Sequence, residues 1–354
     1  MNNIVNTYDP EEYRKGSDEK KKKGKKGILI FLIIVAVIVA ASVIISVLAG
    51  GSGRSGKVYL GDDDTLNIGR DYIGELHIEG TIAGDSDSLN LTSSGDYHQE
   101  WLLDRVDDMM KDDRNKGIIL YVDTPGGDVY ETDEMYLKLK SYKKKTGRPV
   151  YTYMASEAAS GGYYISSVSD KICANRNCWT GSIGVTMGSV YDLTGLMKKM
   201  GVKAVAIHAG KNKAMGSVTE KLTEEQKKIL KGLVDDAYDQ FTGIVSRERK
   251  IPLSKTKKLA DGRVYTAKQA LKNGLIDRIG TLSDVKKAIR KENHIASGVP
   301  VKDILYKDKG SSLGLIQKLL SSSKTKELSQ YEQLKALMGV NGTYTIAYIS
   351  EFRK

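Results

Sequence analysis

Apolar residues follow three rhythms along this chain. The first is an unbroken run. Residues 28–49, ILIFLIIVAVIVAASVIISVLA, are 22 positions without a charge. As a helix they span about 33 Å, enough to cover a hydrocarbon core of about 30 Å. The run is too long for the core of a cleaved signal peptide and follows 26 mostly polar residues, so a signal anchor is expected. Six lysines between Lys20 and Lys26 stand just before it. Positive charge beside a span stays cytoplasmic, which puts the N-terminus inside and everything after the span outside. The stretch GGSGRSGK at 50–57 reads as a flexible tether.

The second and third rhythms, period two and period 3.6, alternate from about residue 70. YIGELHIEGTI (72–82) predicts a strand, and 97–113 a helix with Trp101, Leu102, Val106, Met109 and Met110 on one face. KGIILYVDTPGG (116–127) is a short apolar run closed by a turn, as in a buried parallel strand. A helix over 129–145, a strand at 148–154, a helix over 160–168 and a short strand near 171–174 follow. VKAVAI (202–207) also reads as a strand. TEEQ (223–226) is a capping box opening a long helix with Ile229, Leu230, Leu233, Val234, Ala237, Phe241, Ile244 and Val245 at helical spacing. TAKQALKNG (266–274) predicts a second capped helix that ends at Gly274 and buries Ala270 and Leu271. Strand and helix in strict alternation indicate an α/β fold of stacked βαβ units. The expected organisation is a cytoplasmic basic tail (1–26), a transmembrane anchor (27–49), a linker (50–70), an extracytoplasmic domain (71–305) and a partly mobile tail (306–354).

Charge changes this picture little. The net charge is +11, and the first 26 residues contribute eight Lys/Arg against five Asp/Glu. The remaining excess is dispersed and not interleaved with aromatics, which argues against nucleic acid and suits anionic lipid headgroups. Cys173 and Cys178 are spaced for neither zinc nor a redox pair and read as small buried residues. No metal or cofactor is expected.

Candidate chemistry gathers where strands end. DTPGGDV (123–129) and AASGGYY (158–164) each close a strand with a Gly-Gly pair, and such turns present backbone N–H groups to a ligand oxygen. Of the five serines in MASEAASGGYYISSVSD (154–170), Ser160 stands where the strand turns into a helix; Ser156 comes earlier, and Ser166, Ser167 and Ser169 later. Ser160 is either an exposed nucleophile at such an elbow or a helix N-cap. None of the four histidines, His77, His98, His208 and His294, has a triad context. The alternative base is a lysine kept neutral by burial. HAGKNKAMGS (208–217) offers Lys211 and Lys213, and spacing does not choose between them.

The ordered set DTPGG, AASGGYYIS, TGSIGV (180–185), GxxK and ADGRVYTAKQALKNGLID (260–277) resembles the signal peptide peptidase A group of the S49 serine peptidases, in its short, single-domain, Gram-positive-type form, over roughly residues 70–285. The resemblance implies a fold related to Clp protease and crotonase and a Ser/Lys dyad. It matches Ser160 to the nucleophile, Lys213 to the general base, and Gly127 with Gly161 to the oxyanion hole, Gly126 being its loop neighbour. It also implies a dome-shaped octameric ring acting on signal peptides and other apolar peptides at the membrane. Ala209 and Ala214 depart from the family's usual Ser and Asp around the lysine motif. TGSIGV is expected to pack against the dyad. The competing readings are a crotonase-like acyl-CoA enzyme and a catalytically decayed membrane scaffold or resistance factor.

Overall fold

The computed structural model describes residues 57–61, 64–84, 97–306 and 347–349. The expected anchor at 28–49 and most of the tail lie outside them. Among the described residues no helix is long and apolar enough to cross a membrane. In chain order the elements are β1 (Lys57–Leu60), β2 (Tyr72–Glu79), α1 (Gln99–Lys111), β3 (Asn115–Thr124), β4 (Gly126–Asp128), α2 (Val129–Thr146), β5 (Val150–Ala159) and α3 (Gly161–Ser166). There follow β6 (Lys171–Ala174), β7 (Trp179–Gly181), α4 (Thr194–Lys199), α5 (Glu224–Arg249), α6 (Leu253–Leu259) and β8 (Val264–Thr266). The last are α7 (Ala267–Asn273), β9 (Arg278–Ile279), α8 (Leu282–Glu292), β10 (Val301–Tyr306) and β11 (Ala347–Ile349).

The main sheet runs β1-β10-β2-β3-β5-β6-β9 with every pair parallel; β7 continues beside β5, and β8 pairs antiparallel with β7. This is the mixed α/β architecture with a mostly parallel sheet that the alternation predicts. Side chains alternate across it because the strand period is two. On one face Leu76, Ile78, Ile118, Leu120, Val122 and Met154 meet Trp101, Leu102, Val106 and Met109 of α1, Met135 and Leu139 of α2, and Phe241 and Val245 of α5. On the other, Ile73, Ile119, Tyr151 and Tyr153 meet Val285, Ala288 and Ile289 of α8. Residues 57–60, placed in the linker by the sequence, pair with β10 as an outer strand.

Beyond the reach of α8, that second face turns polar. His77 on β2 lies 2.7 Å from Asp303 of β10 and 3.3 Å from Glu79, and its ring stacks on Tyr121 at 4.7 Å. Burial by itself lowers the imidazole's pKa; the hydrogen bonds to Asp303 and Glu79, with their charges, outweigh it and lift it to about 9. A folded-state pKa raised above the ordinary value contributes stability that is complete below about pH 6.5 and is lost as pH rises through about 9. Thermal melting followed against pH should show this alkaline loss in the native chain and a flatter profile in His77→Gln. Equal slopes would refute the linkage.

Three local expectations are corrected. VKAVAI forms no strand: Val205 is 83% and Ile207 96% exposed, and among the described residues no strand pairs with it. Leu271 is 39% exposed, since Ala267 and Ala270 take the inward positions of the short helix α7. On α5, Leu230, Phe241, Ile244 and Val245 are buried, whereas Ile229 and Leu233 near its N-terminus stay uncovered.

Candidate active site

The site is assembled at the carboxyl ends of β3 and β5. Asp123 Oδ1 accepts hydrogen bonds from Ser156 Oγ (2.6 Å) and the Glu157 amide (3.1 Å), tying the two strand ends together. Thr124 Oγ1 donates to the Gly80 carbonyl and accepts from the Gly126 amide at 3.0 Å, which fixes the turn after β3. Thr180 Oγ1 donates to the Ala158 carbonyl at 2.6 Å, and the Gly181 carbonyl accepts the Ser160 N–H at 2.8 Å. TGSIGV therefore packs against Ser160, as its position in the sequence suggests. Below, α3 is held by Tyr163 Oη on the Leu275 carbonyl and by Tyr164 Oη on Asp133.

Ser160 itself has φ 52° and ψ −113°, a conformation outside the ordinary regions for an L-residue, and it makes no side-chain cap hydrogen bond to α3. Its side chain therefore does not cap α3, although its carbonyl accepts the Tyr164 N–H. A strained residue at a strand-to-helix elbow costs on the order of 1–3 kcal/mol and persists only where its surroundings enforce it. The other four serines of the stretch are all engaged: Ser156 with Asp123, Ser166 with the Gly162 carbonyl, Ser167 with the Tyr164 carbonyl, and Ser169 with Thr152. Ser160 Oγ is buried without a hydrogen-bond partner. A buried unpaired hydroxyl costs about 1–3 kcal/mol and calls for an explanation.

Gly127 and Gly161 meet beside it. A Cβ on Gly161 would fall 3.3 Å from the Gly127 nitrogen and 2.7 Å from Thr132 Oγ1, and one on Gly127 would fall 1.8 Å from the Ile82 carbonyl oxygen. Neither position has room for a side chain, so backbone comes to the surface of the site here. Ile82 N–H donates to the Gly126 carbonyl and Asp128 N–H to the Ile82 carbonyl. Because successive peptide groups of an extended chain face opposite edges, the N–H of Gly127 points to the other edge of β4. The Gly161 amide opens α3, where helical N–H groups lack intrahelical acceptors. Two backbone donors adjoining an unpartnered serine hydroxyl can do acyl chemistry: one oxygen attacks and the amides steady the oxyanion.

The structure thus brings Ser160, Gly161, Gly126 and Gly127 together, and it does not bring Lys213 to them. Lys213 is exposed in the turn after Gly210 and makes no bond to Ser160 Oγ. Lys211 is ion-paired with Glu225 at the start of α5. Neither thiol competes as nucleophile: burial pushes Cys173 up to about 11 and Cys178 up to about 12. The sequence reading missed the Asp123–Ser156 clasp and buried Thr132; no local pattern announces either.

A family model for peptidase family S49 matches residues 142–296, a stretch that includes Ser160 and Lys213. A protein from Enterococcus faecium that carries the name signal peptide peptidase SppA is 33% identical over 293 residues, 78% of this chain and 83% of its own. The chain belongs to peptidase family S49. It is a serine-type peptidase, a hydrolase, by that membership. Protease 4 of Haemophilus influenzae is 33% identical over 76% of this chain and 42% of its own length. The chloroplastic serine protease SPPA of Arabidopsis thaliana is 32% identical over 62% of this chain and 32% of its own.

Proposed function

We propose that this S49 peptidase is a membrane-anchored endopeptidase in which Ser160 attacks peptide carbonyls, an uncharged Lys213 takes the serine proton, and the Gly127 and Gly161 amides hold the oxyanion. Ser160 Oγ bonds to the carbonyl carbon, and Lys213 returns the proton to the leaving amine; water then releases the acyl group. The observation that carries this reading is the strained Ser160 with its buried, unpartnered hydroxyl. The substrates are apolar peptides at the outer face of the cytoplasmic membrane, remnant signal peptides first among them. The uncharged run at 28–49 behind six lysines supports that placement.

A lysine base works only when uncharged, and Lys213 is exposed in the single chain. In the segment before it and at the start of α5, apolar side chains stand uncovered among exposed lysines: Leu196, Met200, Val205, Ile207, Ile229 and Leu233 are all more than a third exposed. Patches of this kind mark an interface. Assembly of several copies into a ring would cover this surface, dry Lys213 and close it on a Ser160. The test is labelling of the detergent-solubilised chain with a fluorophosphonate, with mass spectrometry locating the adduct. The expected adduct is on Ser160 alone. Absence of labelling under conditions where the chain is assembled would favour the catalytically decayed scaffold.

A further inference from the structure

A second hydroxyl beside Gly161 is buried and unpartnered. Thr132, the fourth residue of α2, is fully buried, and its Oγ1 has no hydrogen-bond partner. A threonine or serine inside a helix often returns its hydroxyl to the carbonyl four residues back. Thr146 does so on Tyr142 (2.8 Å), Ser166 on Gly162 (2.6 Å), Thr242 on Tyr238 (3.0 Å) and Thr256 on Pro252 (3.2 Å). Thr132 makes no such bond to Asp128. Its place is nevertheless fixed. Gln99 Nε2 donates to the Glu131 carbonyl at 3.3 Å, and Asp133 accepts the Tyr164 hydroxyl of α3 at 2.6 Å, so α2 is pinned at the residues just before and after it. The point where a Gly161 Cβ would lie is 2.7 Å from Thr132 Oγ1 and 3.3 Å from the Gly127 nitrogen. Two groups that close to one point can hold a single oxygen between them, at about 2.7–3.1 Å from each. A buried hydroxyl with nothing to bond calls for an explanation, and Ser160 Oγ is the other such hydroxyl at this site.

We propose that Thr132 is a further catalytic residue, whose hydroxyl is the third donor to the oxyanion beside the Gly127 and Gly161 amides. The proposal rests on the peptidase reading of this site. When Ser160 Oγ bonds to the substrate's carbonyl carbon, the π pair of the C=O bond moves onto its oxygen. That oxygen accepts from the two amides and from Thr132 Oγ1–H. When the tetrahedral intermediate collapses, the pair returns to the carbonyl and the amine leaves. Because the hydroxyl is committed to no helix carbonyl, its proton is free to turn to the charge as it develops. A donor of this kind acts on the transition state more than on the bound substrate, so its effect falls on kcat.

The experiment compares Thr132→Val and Thr132→Ser with the native full chain in detergent, on an apolar reporter peptide and on a peptide boronate, which forms a tetrahedral adduct with a serine. Thr132→Val should lower kcat about 10²-fold with KM unchanged, and should weaken the boronate by about the same factor. It should melt no lower than the native chain, because an apolar group of the same shape replaces an unsatisfied polar one. Thr132→Ser keeps the hydroxyl and should keep most of the turnover, yet melt lower for want of a buried methyl. Activity then follows the hydroxyl and stability the methyl, a split that a packing role does not produce. Native kcat and boronate affinity in Thr132→Val overturn the proposal and leave the peptidase reading standing. Turnover lost in both variants alongside a lower melt makes Thr132 a packing residue and overturns it too. A native chain that hydrolyses nothing and takes no serine adduct overturns the peptidase reading and the third donor together.

Discussion

Ser160→Gly should produce a chain that is more stable than the native one and inert. Glycine adopts φ 52°, ψ −113° without the clash an L-side chain meets, so the substitution releases strain of about 1–3 kcal/mol. It also removes a buried hydroxyl that has no partner, worth about 1–3 kcal/mol more. Against this stands the extra unfolded-state entropy of glycine, about 0.5–1 kcal/mol. The net gain is then at least about 1 kcal/mol, which corresponds to roughly 2 °C or more in Tm for a domain of this size. Turnover should fall by at least about 10³-fold, because the attacking oxygen is gone. Ser166→Ala makes the contrast. It deletes a buried hydrogen bond to the Gly162 carbonyl and should lose about 1 kcal/mol. Calorimetry and peptide hydrolysis on both variants decide the matter. A Ser160→Gly chain that melts lower, or that keeps native turnover, would show that the elbow is a structural turn and that the nucleophile lies elsewhere.

The same residue shows where sequence reading stops. The strands carrying Ile118, Leu120 and Val122 and the Gly-Gly turns after them were legible because period-two burial and turn chemistry are local properties. Ser160 before Gly161 was legible only as an ambiguity: a serine at a helix start is a good cap. What separates the readings is a backbone angle and a missing partner, and neither is written in residue types. Pairings across the sheet were hidden for a different reason. β10 inserts between β1 and β2, and the His77–Asp303 bond joins residues 226 positions apart, so neither strand announces the other. VKAVAI misled because its composition is that of a strand, while strand formation needs an edge to pair with, and this chain leaves the segment exposed. The mistake is informative. Apolar side chains as open as Val205 and Ile207 belong to the surface that the proposed assembly would cover.

Lys213→Met should remove turnover while leaving melting unchanged, and its loss should persist at every pH. A general base contributes on the order of 10²–10⁴-fold. Stability should not follow activity, because the Lys213 side chain is exposed. The second arm concerns concentration. In one chain Ser160 is buried and unpartnered while Lys213 is exposed, so the proposed dyad would be completed only by covering the surface around Val205, Ile207 and Leu233. Activity per chain should therefore rise with protein concentration and fall on dilution to single chains, as followed by sedimentation in detergent. Val205→Asp on that exposed surface should mimic dilution, because burying an unpaired carboxylate in an interface is costly while leaving it on a lone chain is not. Near-native alkaline turnover in Lys213→Met would remove the lysine from the mechanism. Constant activity per chain down to single chains would instead keep the base and remove the need for assembly, requiring the segment 202–216 to fold back onto Ser160 within one chain.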